Sequence, residues 1–187
     1  MDTIDKSTGQ QLVQYAREVI AHRFDDRIIP ELKKESLVQK YCGVFVTLKI
    51  DGALRGCIGN IEPVKTLGQG VHDNAINAAF HDTRFAPLAS QELDKIRLSV
   101  SVLTVPVQLK TGSPEELLEA LSPEDGVILK NGRASATFLP QVWQQLPKGE
   151  AFLGQLCSKA GLNKDCWRNK DTEIWTYRVQ NFTEDDA

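Results

Sequence analysis

Histidine, methionine and closely spaced cysteine are scarce in this chain. Three histidines and one methionine stand among 187 residues. His22, His72 and His81 show no tight spacing with aspartate, so no metal centre is expected. The four cysteines, Cys42, Cys57, Cys157 and Cys166, form no C-x-x-C pair and no zinc-finger pattern. No phosphate-binding loop or dinucleotide fingerprint is present, so no cofactor is expected. No apolar run is long enough to span a bilayer. The amino-terminal MDTIDKSTGQ lacks a charged segment followed by an apolar one, so no signal peptide is expected. The compartment implied is the cytoplasm, with reduced thiols.

What remains is ordinary for a globular chain. Hydrophobic residues make up 41% and charged residues 25%, which suits one well-buried domain, with room for a small lobe. The net charge of -3 argues against a broad nucleic-acid or membrane surface. Scattered Lys and Arg near 159–170 are the only sequence support for nucleic-acid binding.

The pattern predicts a helix over 7–23, with Ser7 and Gln10 as a capping box. A loop with a short helix is expected in 24–42. Val44–Ile50, Asp51-Gly52 and Ala53–Gly59 read as a hairpin with a type I′ turn. Glu62-Pro63 opens a second helix with Val64, Leu67, Val71, Ala75 and Ala78 inward. Ser90 is placed to cap a short helix over Glu92–Lys95. Arg97–Val107 reads as one strand. Ser113-Pro114 starts a helix to about Leu121. Val127–Lys130 and Arg133–Phe138 form a hairpin turning at Asn131-Gly132. Pro140–Leu146 and Phe152–Ala160 look helical, with Gly161 closing the latter. Glu173–Phe182 is the last strand. Hairpins separated by helices define an α+β protein with a mainly antiparallel sheet flanked by helices.

The stretch LRGCIG, residues 54–59, follows the first turn. Regular pairing would set Leu48 opposite Arg55 and Val46 opposite Cys57. Alternation would then put Arg55 and Cys57 on one face, with Leu54, Ile58 and Phe45 in a core on the other. A guanidinium beside a thiol favours the reactive thiolate. Gly56 and Gly59 would leave room for a substrate, or for a close-packed helix. A structural reading is equally available, since free cysteine commonly acts as a small buried hydrophobe. A second cluster follows. Asn74 and His81, two helical turns apart, share a face, and Asp82 and Arg84 come directly after them. Cys157, in FLGQLCSKA, reads as core. Trp143, Trp167 and Trp175 read as packing anchors.

LRGCIG, with IEP at 61–63, NAINAAFHDTRFAPL at 74–88, SVSVLT at 99–104, FLPQVW at 138–143 and FLGQLCSKAGL at 152–162, resembles the AMMECR domain family. Its prokaryotic members are named AmmeMemoRadiSam system protein A. The matched region runs over about 44–182 of a single domain covering 1–187. Thr83 departs from the proline usual there, leaving Asp82, Arg84 and Phe85 in place. The resemblance implies an α+β fold with a larger and a smaller subdomain. It implies two partners, a Memo-like protein and a radical S-adenosylmethionine protein. It points to Leu54 through Gly59 as the place for an active or binding site, and it brings no settled reaction.

Two functions follow. In an enzyme, Cys57 is the nucleophile or redox thiol, Arg55 its activator or an anion clamp, and His81, Asp82 and Glu62 acid-base or orienting groups. Gly56, Gly59, Asn74 and Arg84 then line the substrate, a small anionic or electrophilic metabolite. In an accessory module, the groove beside the hairpin instead docks a partner protein.

Overall fold

The computed structural model describes residues 3–32 and 39–184. Residues 33–38, where part of the expected 24–42 loop falls, lie outside them. The fold is α+β with two compact units, a larger one running to Val105 and resuming at Gln180, and a smaller one, Pro106–Val179.

In the large unit, α1 (Lys6–His22) buries Leu12, Val13, Ala16, Val19 and Ile20. Its cap is not Ser7 but Asp5, whose carboxylate accepts from the Thr8 amide at 2.9 Å and the Thr8 hydroxyl at 2.7 Å. An ionised acceptor at a helix start also complements the helix dipole, which a serine hydroxyl cannot. Strands β1 (Gly43–Ile50) and β2 (Ala53–Asn60) meet at the expected turn, where Asp51 and Gly52 have φ of 50° and 79°. The second helix, α2 (Leu67–Phe80), starts later than Glu62-Pro63. Thr66 caps it in a box with Gln69, and Val64 is 62% exposed. The preceding backbone is tied down outside a helix, with the Val64 amide donating to the Glu62 carbonyl across Pro63 and the Cys42 amide donating to the Lys65 carbonyl.

The expected strand Arg97–Val107 divides into β3 (Ile96–Leu103) and β4 (Val107–Gln108), in different sheets. Pro106, between them, has no amide to carry a ladder onward. The expected Glu173–Phe182 strand divides the same way, into β7 (Glu173–Tyr177) and β8 (Val179–Thr183). Both divisions fall at the boundary between the units. The large unit's sheet runs β2-β1-β3-β8. Val44, Val46 and Leu48 of β1 and Ile96, Leu98, Val100 and Val102 of β3 join α1 and α2 in one aliphatic core.

The small unit holds α3 (Pro114–Ala120), capped by Ser113 as expected, β5 (Gly126–Asn131), β6 (Ala134–Phe138) and α4 (Gly149–Lys159). Its sheet runs β4-β7-β5-β6. Asn131 pairs with Ala134, so the second hairpin turns at Gly132-Arg133, one residue later than expected. Gly132 has φ of 57°, and Gly161, just past α4, has φ of 76°. Trp143 stacks on Phe152 with ring centroids 3.8 Å apart and donates from Nε1 to the Asp125 carbonyl.

Cys157 and Cys166 form a disulfide, with Cα atoms 6.0 Å apart. This corrects the expectation of four reduced thiols. The turn at Gly161 and the short helix Cys166–Arg168 fold the chain back onto α4, which sequence spacing does not reveal. No described helix is long and apolar enough to cross a membrane.

Candidate functional site

The first hairpin does not keep regular register. Ile50 faces Ala53 and Lys49 faces Leu54, but Leu48 faces Gly56, Thr47 faces Cys57, Val46 faces Ile58 and Phe45 faces Gly59. Arg55 is the extra residue of a β-bulge. Four expectations fall with the regular alternation, the first being Leu48 opposite Arg55. Cys57 faces Thr47 rather than Val46. Phe45 lies on the Cys57 face. Leu54, placed in a core by alternation, is 42% exposed. Ile58 does pack against the aliphatic core.

The bulge sorts the two glycines. Gly56 takes the core face, where an added Cβ would stand 2.1 Å from the Ala78 carbonyl oxygen of α2. Gly59 lies under the Phe45 ring, where a Cβ would stand 2.2 Å from Phe45 Cγ. Both are accounted for by close packing.

Cys57 is half-buried and reduced, and the Thr47 hydroxyl donates to its sulfur at 3.2 Å. Sequence alternation misses Thr47, because only the bulge moves it into line with Cys57. Asp82 and Arg84 do reach Cys57, but at its backbone. The Cys57 amide donates to Asp82 Oδ2 at 2.9 Å, and Arg84 Nη2 donates to the Cys57 carbonyl at 3.0 Å. Arg84 also forks onto Asp82, at 2.9 and 2.6 Å. Since β2 is an edge strand, this pair occupies the place of a further strand beside Cys57. The Arg84 guanidinium, helped by the Cys57 and Arg84 amides, holds the buried Asp82 carboxyl well below the usual carboxylate range.

Arg55 is bound by Glu92 through two bonds, of 2.7 and 2.9 Å. That fork and the Ala89 amide push the Glu92 carboxyl down to about 2. Glu92, which lies 37 residues from Arg55, carries no sequence signal of this role. Phe85 lies against both guanidinium groups, 5.9 Å from that of Arg55 and 5.6 Å from that of Arg84.

The other candidates lie apart from the thiol's described contacts. Asn74 is buried and donates to the Val44 carbonyl and to Asn60 Oδ1, joining α2 to the hairpin. His81 is the exposed C-cap of α2, and its ring makes none of the described contacts. It does not share the buried face of Asn74. Glu62 is exposed, with its carbonyl taking the Asn60 amide group. Among the described residues, no three His, Cys, Asp or Glu side chains gather as a metal site. A cavity of about 420 Å³ in the small unit, bordered by Lys110, Lys170, Leu117 and Trp167, contains none of the predicted site residues.

A model of the AMMECR1 family matches residues 13–182, and the chain belongs to that family. It is 39% identical over 181 residues to the protein NEQ441 of Nanoarchaeum equitans, covering 93% of this chain and 99% of that one. It is 38% identical to the protein MK0488 of Methanopyrus kandleri, covering 95% and 89%. The crystal structure of protein PH0010 from Pyrococcus horikoshii superposes with a TM-score of 0.81 at 35% identity, over 97% of this chain and 93% of that one.

Proposed function

We propose that the outer face of the β1–β2 hairpin is a thiol-centred active site acting on a small electrophilic metabolite, with Cys57 as nucleophile. One observation carries this reading: the four cysteines have sharply different circumstances. Cys157 and Cys166 are joined, Cys42 is fully buried with its thiol pushed up to about 11, and Cys57 is reduced, partly open and held by a hydroxyl donor. The thiol gives its proton to solvent and the sulfur adds to a carbonyl or activated-alkene carbon, forming one C–S bond as the carbon's π bond opens and its electron pair takes up a proton from solvent. Thr47 orients the sulfur. Asp82 and Arg84 fix the backbone that carries it. Arg55 and Arg84 are each committed to a carboxylate, so neither supports the anion-clamp role expected of Arg55.

Limited iodoacetamide labelling with mass mapping tests this. Cys57 should react at least tenfold faster than Cys42, by the usual contrast between accessible and buried thiols. Equal or slower labelling at Cys57 overturns it.

The docking alternative draws on the exposed Leu54 beside the bulge. A Memo-like protein and a radical S-adenosylmethionine protein are the proposed partners, on the family resemblance. Capture of the Memo-like protein that survives Cys57→Ser but is lost in Leu54→Asp would favour docking. A cytoplasmic setting belongs to the same proposal. The disulfide is compatible with it, since Cys157 and Cys166 are 0% and 4% exposed and shielded from reductants.

A further inference from the structure

The cavity of about 420 Å³ in the small unit has the size of a small-ligand site, which runs from about 300 to 1,000 Å³. Its apolar lining includes Leu117, Trp167 and Ile174, which are 5%, 4% and 3% exposed. Two segments frame it, one at residues 108–114 and one at 167–174. Both are held in place. In the first, the Leu109 amide donates to the Ile174 carbonyl at 2.8 Å, and the Gly112 amide to Glu116 Oε2 at 2.7 Å. In the second, Thr172 donates from its amide to the Asn169 carbonyl and from its hydroxyl to the Cys166 carbonyl. Cys166 is in turn tied to α4 by the disulfide. A cavity framed this firmly loses little freedom when it binds.

Its charges are unequal. The cations Lys110, Arg168 and Lys170 border it, against the single acid Glu173. Arg168 is engaged: its Nη2 donates to Glu150 at 2.9 Å, and its guanidinium lies over the Trp167 ring, 4.1 Å from the centroid. Glu173 accepts from Trp175 Nε1 at 3.0 Å and stands opposite Lys130 in the β5–β7 register. Asp171, beside Lys170 in the chain, does not border the cavity. Lys110 and Lys170 are exposed, come from the two different segments, and make none of the described contacts.

We infer that this cavity binds a small amphipathic anion, with its apolar body against Leu117, Trp167 and Ile174 and its acidic group met by Lys110 and Lys170. Cys57 lies in the other unit and takes no part.

The test uses two probes with the same apolar body, the anion anilinonaphthalene sulfonate and the neutral phenylnaphthylamine. Both brighten in apolar surroundings, so titrating each into the full chain gives a dissociation constant. The sulfonate should saturate at one probe per chain, and added salt should weaken it. Lys110→Met and Lys170→Met should each weaken it about fivefold, as for one lost charge contact under water-like screening. Lys110→Glu and Lys170→Glu should weaken it further, and Lys110→Arg and Lys170→Arg should keep it. The neutral probe should hold its affinity in every variant. Lys6→Glu, in the large unit, should change neither probe. Urea titrations followed by tryptophan fluorescence check that each variant is folded. Sulfonate binding indifferent to Lys110→Met and Lys170→Met overturns the inference. So does a parallel loss of both probes, or an equal effect from Lys6→Glu.

Discussion

The two units handle cysteine in opposite ways. In the large unit, Cys42 and Cys57 stay as thiols, one sealed in the core and one on the outer face of the sheet. In the small unit, Cys157 and Cys166 are joined inside a core that also relies on the Trp143–Phe152 stack. Size gives a physical reason. The large unit lays two helices over four strands and closes an extensive aliphatic core. The small unit has fewer residues over which to bury apolar surface, and small domains gain most from a covalent staple and large aromatic side chains. One unit thus keeps a partly open thiol on its sheet, and the other joins its two sulfurs inside its core.

That contrast can be broken from either side. Gly56→Val should be the most damaging change, because its Cβ would meet a backbone carbonyl that cannot swing away. The loss should exceed about 3 kcal/mol, past the usual range for overpacking. Amide hydrogen exchange of β1 and β2 would register it. Cys157→Ser should cost about 3 kcal/mol, from the entropy of a loop closed over a nine-residue separation. All three tryptophans lie in the small unit, so the intrinsic fluorescence of a urea titration reads this change directly. Cys42→Ser, in the other unit, introduces no such loop effect.

Acid sharpens the contrast further. Glu92 titrates lower in the folded protein than in the unfolded chain, where its ordinary value is 4.5. Its contribution is therefore complete above about pH 4.5 and is lost as the pH falls towards about 2. Asp82, depressed further still, behaves in the same sense. Urea midpoints at pH 7 and pH 3 should differ less in Glu92→Gln than in wild type. The smallest effect is expected at Lys159, whose ammonium donates to the Thr137 carbonyl on edge strand β6. Lys159→Met should lower stability by about 1 kcal/mol or less, as for an exposed hydrogen bond, in the same fluorescence titration.

Much of the local structure was legible because its causes are local. Asp51-Gly52 specifies a type I′ turn, Ser113-Pro114 a helix start and Gly161 a helix end, each through the chemistry of two or three adjacent residues. The misreadings have causes at a distance. Pro106 marks a break within an otherwise continuous β pattern, but nothing nearby says that the chain then enters a second sheet. The cap of α1 moved to Asp5 because two acceptors competed within one turn. The candidate site was legible as a place and not as an arrangement: LRGCIG and the DTR stretch do meet, yet Asp82 and Arg84 bind the backbone of Cys57 rather than its sulfur.

Composition, motif order and periodicity were enough for the α+β class, the family and the hexapeptide that carries the candidate site, since these depend on residue type and near-neighbour spacing. Three outcomes depended on packing between distant segments. A bulge in edge strand β2 sets Thr47 opposite Cys57. Long-range pairing gave Arg55 to Glu92. The fold-back after α4 joined Cys157 to Cys166. Each turns on which distant groups come within a few ångströms, and a one-residue slip in register is enough to exchange the neighbours of every side chain on a strand.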